Sequence, residues 1–460
     1  MDDNSIINDL TQGSVARRLI KFSLPFMLSN FLQTAHSLVD MIVVGRFIGE
    51  VGMSAVAVAA QLMSLIMLVC MGFSNGGQVM IAQKVGSGQR DKLRQSIGTM
   101  STVMLLSAVV ISIAGLPLRS VLLKLLSTPA EAFSQATGYL TVVFAGTVFI
   151  YGYNLTSAIF RGCGDSKHPL LFVFISTVVN IMLDYLFVGP LHWGAVGAAA
   201  ATIIGYATAF IISVVYLYVH RGDIGFDFKL SSFRPVGEAV RELVRLGLPL
   251  GIEMGIISIS MLVVNKFVNQ YGVTASAVFG AGAKVDEFSF IVGGGIMMAN
   301  TTMVAQNTGA GKQDRAIKSV HTSELILVVT TALLVTVFAL FPKQVYSVFT
   351  KDPSVIEMAP MFMKVLAMCT PATLIMAAYQ SFIEGIGNSR LAMCLAFLDG
   401  FIGRLSISFI CANTLGMGLQ GYFYGYGMAA YIYFILGGIY FYSGVWKKKY
   451  GVAPLSNKAE

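Results

Sequence analysis

Between Ala195 and Val219 the sequence runs for 25 residues without a charged side chain. Val103–Leu116 and Leu325–Phe341 are likewise uncharged, and Leu170–Val188 holds one charge, Asp184. A helix needs about 20 mostly apolar residues to cross roughly 30 Å of hydrocarbon. Only 12% of the 460 residues are charged, against about 25% in a soluble domain, so too little polar surface exists to face water on all sides. The alternation of a membrane β-barrel is absent. The fold class is therefore an all-α polytopic membrane protein in contact with the lipid bilayer.

The chain repeats itself. "AQKVGSGQRD" at Ala82–Asp91 returns as "AQNTGAGKQD" at Ala305–Asp314, 223 positions later. "RGCGDSK" at Arg161–Lys167 returns as "EGIGNSR" at Glu384–Arg390 with the same offset, and "SLP" at Ser23–Pro25 as "GLP" at Gly247–Pro249. Two homologous halves follow, 1–230 and 231–460, each divisible into six apolar segments. That gives twelve transmembrane helices in two pseudo-symmetric six-helix bundles. Six is even, so both halves enter the membrane from the same side and the repeat is parallel.

The net charge of +8 fixes topology and does not call for nucleic acid. Of the 31 Lys and Arg, 22 fall on the connections that share a side with both termini, which makes that side cytoplasmic. The N-terminal "MDDNSIINDL" lacks the short apolar core of a cleaved signal peptide, so the first span is expected to direct insertion. "WKKKYG" at Trp446–Gly451 reads as an interfacial anchor. In the connector between the halves, Ser231 or Ser232 is expected to start a short amphipathic helix. Five scattered cysteines give neither a disulfide framework nor a zinc site. No transition-metal site or cofactor is expected.

Ionisable groups inside a span are costly, about 2.5–3.5 kcal/mol for Asp at a helix centre, and so mark function. Asn30, Gln33, Ser37 and Asp40 recur along span one within an arc of about 80°. His36 lies one turn before Asp40, and Pro25 permits a bend, a candidate hinge. In span five Thr177, Asn180 and Asp184 form a second stripe. Nearby spans add Tyr139, Asn154 and Thr202. Two carboxylates with amide and hydroxyl oxygens suit Na⁺; alternatively, two carboxylates in a low dielectric resist ionising together and hold a proton. Interhelical hydrogen bonding is the structural alternative, and for Asn30, Ser37, Thr177 or Thr202 taken singly it is the better one.

The second half has no acid at the positions of Asp40 and Asp184. It offers Glu253 in span seven, Lys284, Asp286 and Glu287 in span eight, Tyr379 and Gln380 in span ten, and Asp399 with Arg404 in span eleven. For the charged residues, internal ion pairing and a substrate or ion role are both open readings, and Tyr379 and Gln380 are candidates to line a cavity. Glu384 aligns with Arg161 and is expected at the cytoplasmic end. Enzyme signatures fail: "GSGQRDK" lacks the third glycine of a dinucleotide loop, "GAGKQ" lacks the phosphate-loop pattern, and neither His-Glu-x-x-His nor Gly-x-Ser-x-Gly occurs.

"FSLPFMLSNFLQTAHSLVDMIVVGRFIG", the repeated "AQ..G.G", "RGCGDSK" with "EGIGNSR", and "NIMLDYLFVGPLHWGAVGAA" together resemble the multidrug and toxic compound extrusion (MATE) transporters, in their bacterial NorM/DinF-like branch. The resemblance spans essentially the whole chain. It implies a V-shaped, two-lobed fold in the bacterial cytoplasmic membrane; a monomer is expected. It implies export of amphipathic or cationic organic compounds in exchange for Na⁺ or H⁺. Asp40 would match the family's first-helix aspartate and Pro25 its bending proline. Asn180, Asp184, Thr202 and Asn154 would match its amino-lobe cation site, and Glu253 a seventh-helix glutamate of some members. The acid that some members carry in the tenth helix is missing, which favours the amino-lobe site. A lipid-linked oligosaccharide flippase of the same wider superfamily is the alternative, but such proteins tend to have arginine-rich cavities, and Arg404 is the one arginine placed deep in a span.

Overall fold

The computed structural model describes residues 6–450, and among these it contains helices and no strand. Both expected cytoplasmic chain ends, 1–5 and 451–460, lie outside the described residues, as does Gly451 of the "WKKKYG" segment. In chain order the helices are α1 (Val15–Gly86), α2 (Arg90–Leu125), α3 (Ala130–Gly162), α4 (Lys167–Val188), α5 (Gly194–Val219) and the short α6 (Arg221–Ile224). After a 3-10 turn at Leu230–Phe233 come α7 (Gly237–Asn269), α8 (Val273–Gly309), α9 (Gln313–Leu340), the short α10 (Pro342–Ser347) and α11 (Pro353–Gly385). Next, α12 (Ser389–Phe397) runs through π-helical turns at Leu398–Leu405, α13 (Ser406–Phe409) and further π turns at Ile410–Thr414. The chain closes with α14 (Leu419–Met428), α15 (Ala430–Ser443) and α16 (Lys447–Tyr450).

Ten helices, or continuous helical runs, among the described residues are long and apolar enough to cross a membrane. One of them, α1, has 72 residues, about 108 Å if straight at 1.5 Å per residue. It breaks at Gly49, whose φ of 71° and ψ of −164° are open essentially to glycine alone, and so supplies two spans. The helices α14 and α15, with Ala429 between them, supply the last. Twelve spans result, as the sequence leads one to expect.

The duplication is visible in the helix bounds. The third helix, α3, runs Ala130–Gly162 and its counterpart α11 runs Pro353–Gly385, both ends 223 residues apart; α2 begins at Arg90 and α9 at Gln313. Asp352 caps α11, its carboxylate accepting from the Ser354 backbone N–H at 2.9 Å, with Pro353 in the first turn, where no N–H is needed.

The chain forms two compact units. The first comprises residues 6–9 and Leu28–Gly251, the second Leu10–Met27 and 252–450. In the first, α3 is the buried helix, with Tyr151 and Phe160 fully enclosed and the Tyr151 hydroxyl donating to the Ile66 carbonyl at 3.1 Å. In the second, α11 takes that place, with Phe362 and Phe382 enclosed.

Two local expectations need correction. No helix starts at Ser231 or Ser232. Pro235 disfavours helix at the residue before it, Arg234 is extended (φ −65°, ψ 122°), and α7 begins only at Gly237. Trp446 is no interfacial anchor. It is buried, its ring edge-on to Phe382 at 4.9 Å, and its indole N–H donates to the Phe441 carbonyl at 3.0 Å.

Candidate functional site

One residue of the first polar stripe, Asp40, meets Asn180 and Asp184 of the second within the first unit. Asp40 comes from α1, Tyr139 from α3, Asn180 and Asp184 from α4, Thr202 from α5. Asp184 is 1% exposed and Asp40 half-buried. Their carboxyl groups are close enough for one, when protonated, to donate to the other. As two carboxylates they have no donor between them, and Asp184 Oδ1 and Oδ2 and Asp40 Oδ1 are buried without a hydrogen-bond partner. Tyr139 lies beside both acids.

Asn180 Nδ2 donates to Thr202 Oγ1 at 3.5 Å, and Thr202 Oγ1 donates in turn to the Ala198 carbonyl at 3.0 Å. The Asn180 carbonyl oxygen is buried and free. Gly205 lets α5 press onto α4 here, since a Cβ built on it would lie 3.2 Å from Asn180 Cβ. Two carboxyls thus lie together with the Asn180 amide beside Asp184, the Thr202 hydroxyl next to that amide, and no positive side chain bonded to them. This donor set fits a proton or a hard cation such as Na⁺. Among the described residues no group of three or more His, Cys, Asp or Glu is placed to hold a metal ion.

The remaining candidates of the first half are placed differently. Asn154 is buried, but its amide donates to the Ile150 carbonyl of its own helix at 2.9 Å. Gln33 and Ser37 are exposed, Ser37 Oγ donating back to the Gln33 carbonyl at 3.1 Å. Asn30 is half-buried, as is His36, whose Nδ1 is enclosed without a partner. Pro25 is internal to α1, and the backbone stays helical through it.

The second unit holds two polar clusters. In one, Gln380 Nε2 donates to Glu253 Oε1 at 2.9 Å and to Glu384 Oε1 at 3.0 Å. Glu253 and Glu384 are 2% and 7% exposed. Glu253 Oε2 and the nearby Tyr433 hydroxyl are enclosed without a partner. In the other cluster, Arg404 reaches Asp399 at 3.5 Å and Ser260 at 3.3 Å, and its guanidinium lies 5.7 Å from the Tyr426 ring centre. The Tyr426 hydroxyl donates to Asp286 at 3.0 Å. Glu287 pairs with Lys284 at 2.7 Å on an exposed face. Tyr379 is buried among Phe434, Phe441 and Tyr442.

Sequence reasoning missed two of these features. Glu384 does sit in the last turn of α11, but enclosed with Glu253; its i, i+4 spacing from Gln380 was the available signal. Arg161, read only as a cytoplasmic marker, is 6% exposed. It donates to Gln78 at 2.7 Å, Ser157 at 2.6 Å and Ser74 at 3.1 Å, all neutral.

The family model MatE matches residues 25–186 and again 249–410, so each match ends on one half of the duplication and together they cover most of the chain. The chain belongs to the MatE family. Among curated relatives of this MatE chain, the "Probable multidrug resistance protein YpnP" of Bacillus subtilis is 27% identical over 439 residues, 95% of this chain and 97% of that one. The "Probable multidrug resistance protein NorM" of Thermotoga maritima is 28% identical over 442 residues, 95% and 94% of the two chains. A crystal structure of MATE in the bent conformation superposes with a TM-score of 0.88 at 23% identity, covering 96% of this chain and 98% of that one. That likeness establishes the shared fold.

Proposed function

We propose that this MatE chain is a secondary active multidrug efflux antiporter that exports amphipathic or cationic organic compounds in exchange for H⁺ or Na⁺. The observation that carries the reading is the pair of half-buried Asp40 and buried Asp184, side by side and without a bonded countercharge. Two unit charges about 4 Å apart repel by about 4 kcal/mol at an effective dielectric near 20. A proton or sodium ion between them removes that repulsion, so the pair has a strong reason to bind one cation. The relatives named as multidrug resistance proteins support the substrate class.

In the proposed cycle, the outward-open protein takes up a cation at Asp40 and Asp184, with Asn180 and Thr202 supplying neutral oxygens and Tyr139 closing the site. Binding draws the α1 stripe toward α4 and lowers affinity for the exported compound. The cation then leaves to the cytoplasm, and cytosolic compound rebinds. Exchange requires that cation and compound favour different states, because equal affinity for both shifts nothing.

The test is efflux of a fluorescent cationic dye from proteoliposomes, with Na⁺ and H⁺ gradients imposed separately. Asp40→Asn and Asp184→Asn are each expected to abolish gradient-driven efflux while the protein still folds. Parent-level transport by Asp40→Asn would overturn the assignment.

A further inference from the structure

The division of the chain into units does not follow the duplication. Leu10–Met27 precedes and begins span one, yet it is built into the second unit; 231–251 precedes and begins span seven, yet it is built into the first. Each attachment is dense.

In the second unit, the Leu10 N–H donates to Gln306 Oε1 at 3.0 Å. Lys312 donates to the Thr11 carbonyl and hydroxyl at 3.1 and 3.0 Å. Arg315 donates to the Gln12 and Gly13 carbonyls, both at 2.7 Å. Behind this strap Leu10, Val15, Leu19, Phe22 and Phe26 form one buried cluster with Ala299 and Met303 of α8.

In the first unit, the Val236 N–H donates to Thr99 Oγ1 at 3.1 Å and Thr102 donates to the Phe233 carbonyl. Arg94 holds Asp227 at 2.8 Å and Ser232 at 2.7 Å, and Lys84 pairs with Glu242 at 3.0 Å.

The contact points repeat with the duplication. A Cβ on Gly72 would lie 2.6 Å from Gly251 Cα, and one on Gly295, 223 residues later, 3.2 Å from Met27 Cα. Met27 and Gly251 are the last residues before the chain changes unit, each two residues after a helix proline, Pro25 and Pro249. Proline gives no hydrogen bond to the carbonyl one turn earlier, so a helix bends there most easily.

We propose that the two halves have exchanged their lead-in segments permanently: Leu10–Met27 travels with α8 and α9, and 231–251 with α2 and the part of α1 that follows Gly49, throughout transport. Bending is then confined to Met27–Leu28 and Gly251–Ile252, with the Asp9–Leu10 coil following. The proposal rests on the transport reading above, since it concerns what moves during the cycle.

The test staples each segment in place. Thr11→Cys with Lys312→Cys, and Lys84→Cys with Glu242→Cys, are joined by a short bis-methanethiosulfonate. The background has Cys394 and Cys411, the two cysteines that are not buried, replaced by serine. Gradient-driven dye efflux is expected to be as fast stapled as reduced. Efflux lost on stapling and regained on reduction would overturn the proposal, because the segments would then have to let go.

Hydrogen exchange at Leu10 and Val236 gives a readout independent of transport. Permanent attachment makes these amides exchange as slowly as those inside α9 and α2 under every ion condition, and fast exchange in any of them counts against it. If the reduced protein shows no efflux, the transport reading fails on its own, and exchange alone decides whether the segments are permanently held.

Discussion

Replacing Gln380 by methionine tests whether the Glu253–Glu384 pair is held by one amide. Methionine has similar volume, so packing changes little, but both donors to the buried carboxyls disappear. Leaving a buried acceptor without its donor costs about 1–3 kcal/mol. Losing both donors predicts a loss of roughly 2–6 kcal/mol, the larger end because Glu253 Oε2 is already unpartnered. Equilibrium unfolding in mixed micelles measures it. The decisive comparison is a cycle: in a Glu253→Leu/Glu384→Leu background, Gln380→Met should cost under about 1 kcal/mol, leaving a coupling energy of several kcal/mol. If Gln380→Met were as stable as the parent, or cost the same in both backgrounds, the bridging role of Gln380 would be wrong.

Gly76→Ala should cost about 1–3 kcal/mol, because its Cβ would lie 2.6 Å from Gly247 N and backbone must part; Gly222→Ala, with nothing within 4 Å, should cost nothing in the same unfolding assay. Arg161→Lys keeps the charge but loses the planar fork that reaches three acceptors, so it should lose about as much stability as Arg161→Gln, and a Lys variant matching the parent would refute that. The Ser232 hydroxyl, with the Lys229 N–H and the Arg94 guanidinium, holds Asp227 below the usual carboxylate range. A lowered carboxyl stabilises the fold wherever it is ionised and stops doing so only as pH falls through its folded value. A spin label at Ser231→Cys should therefore show one line shape from pH 8 to pH 5, about where an ordinary Asp is still ionised, and a looser one at both pH values in Asp227→Asn.

The helices were legible because length and charge alone locate a span, and because each half repeats the other. The facing of Asp40 and Asp184 was foreshadowed by two polar stripes with helical spacing. Asn154 was not legible: an amide on a helix either crosses to a neighbour or bonds back to its own carbonyl one turn earlier, and local spacing does not choose. Glu384 was hidden by its position in a polar motif read as a cytoplasmic turn, since whether the end of a span is enclosed depends on what α7 and α15 bring to it. The start of α7 was misplaced because Ser231 and Ser232 looked like caps, whereas Pro235 overrides them. The trading of lead-in segments left no mark in composition, as it depends on which helix each glycine meets.

That trade bears on how the protein is made. When the ribosome has delivered the first half, Leu10, Val15, Leu19, Phe22 and Phe26 have no permanent seat, because Ala299 and Met303 have not yet been translated. The first six spans must therefore wait in the bilayer with their opening segment unplaced. A first half expressed alone would lack that seat, and two separately expressed halves would complete each other only by assembling together.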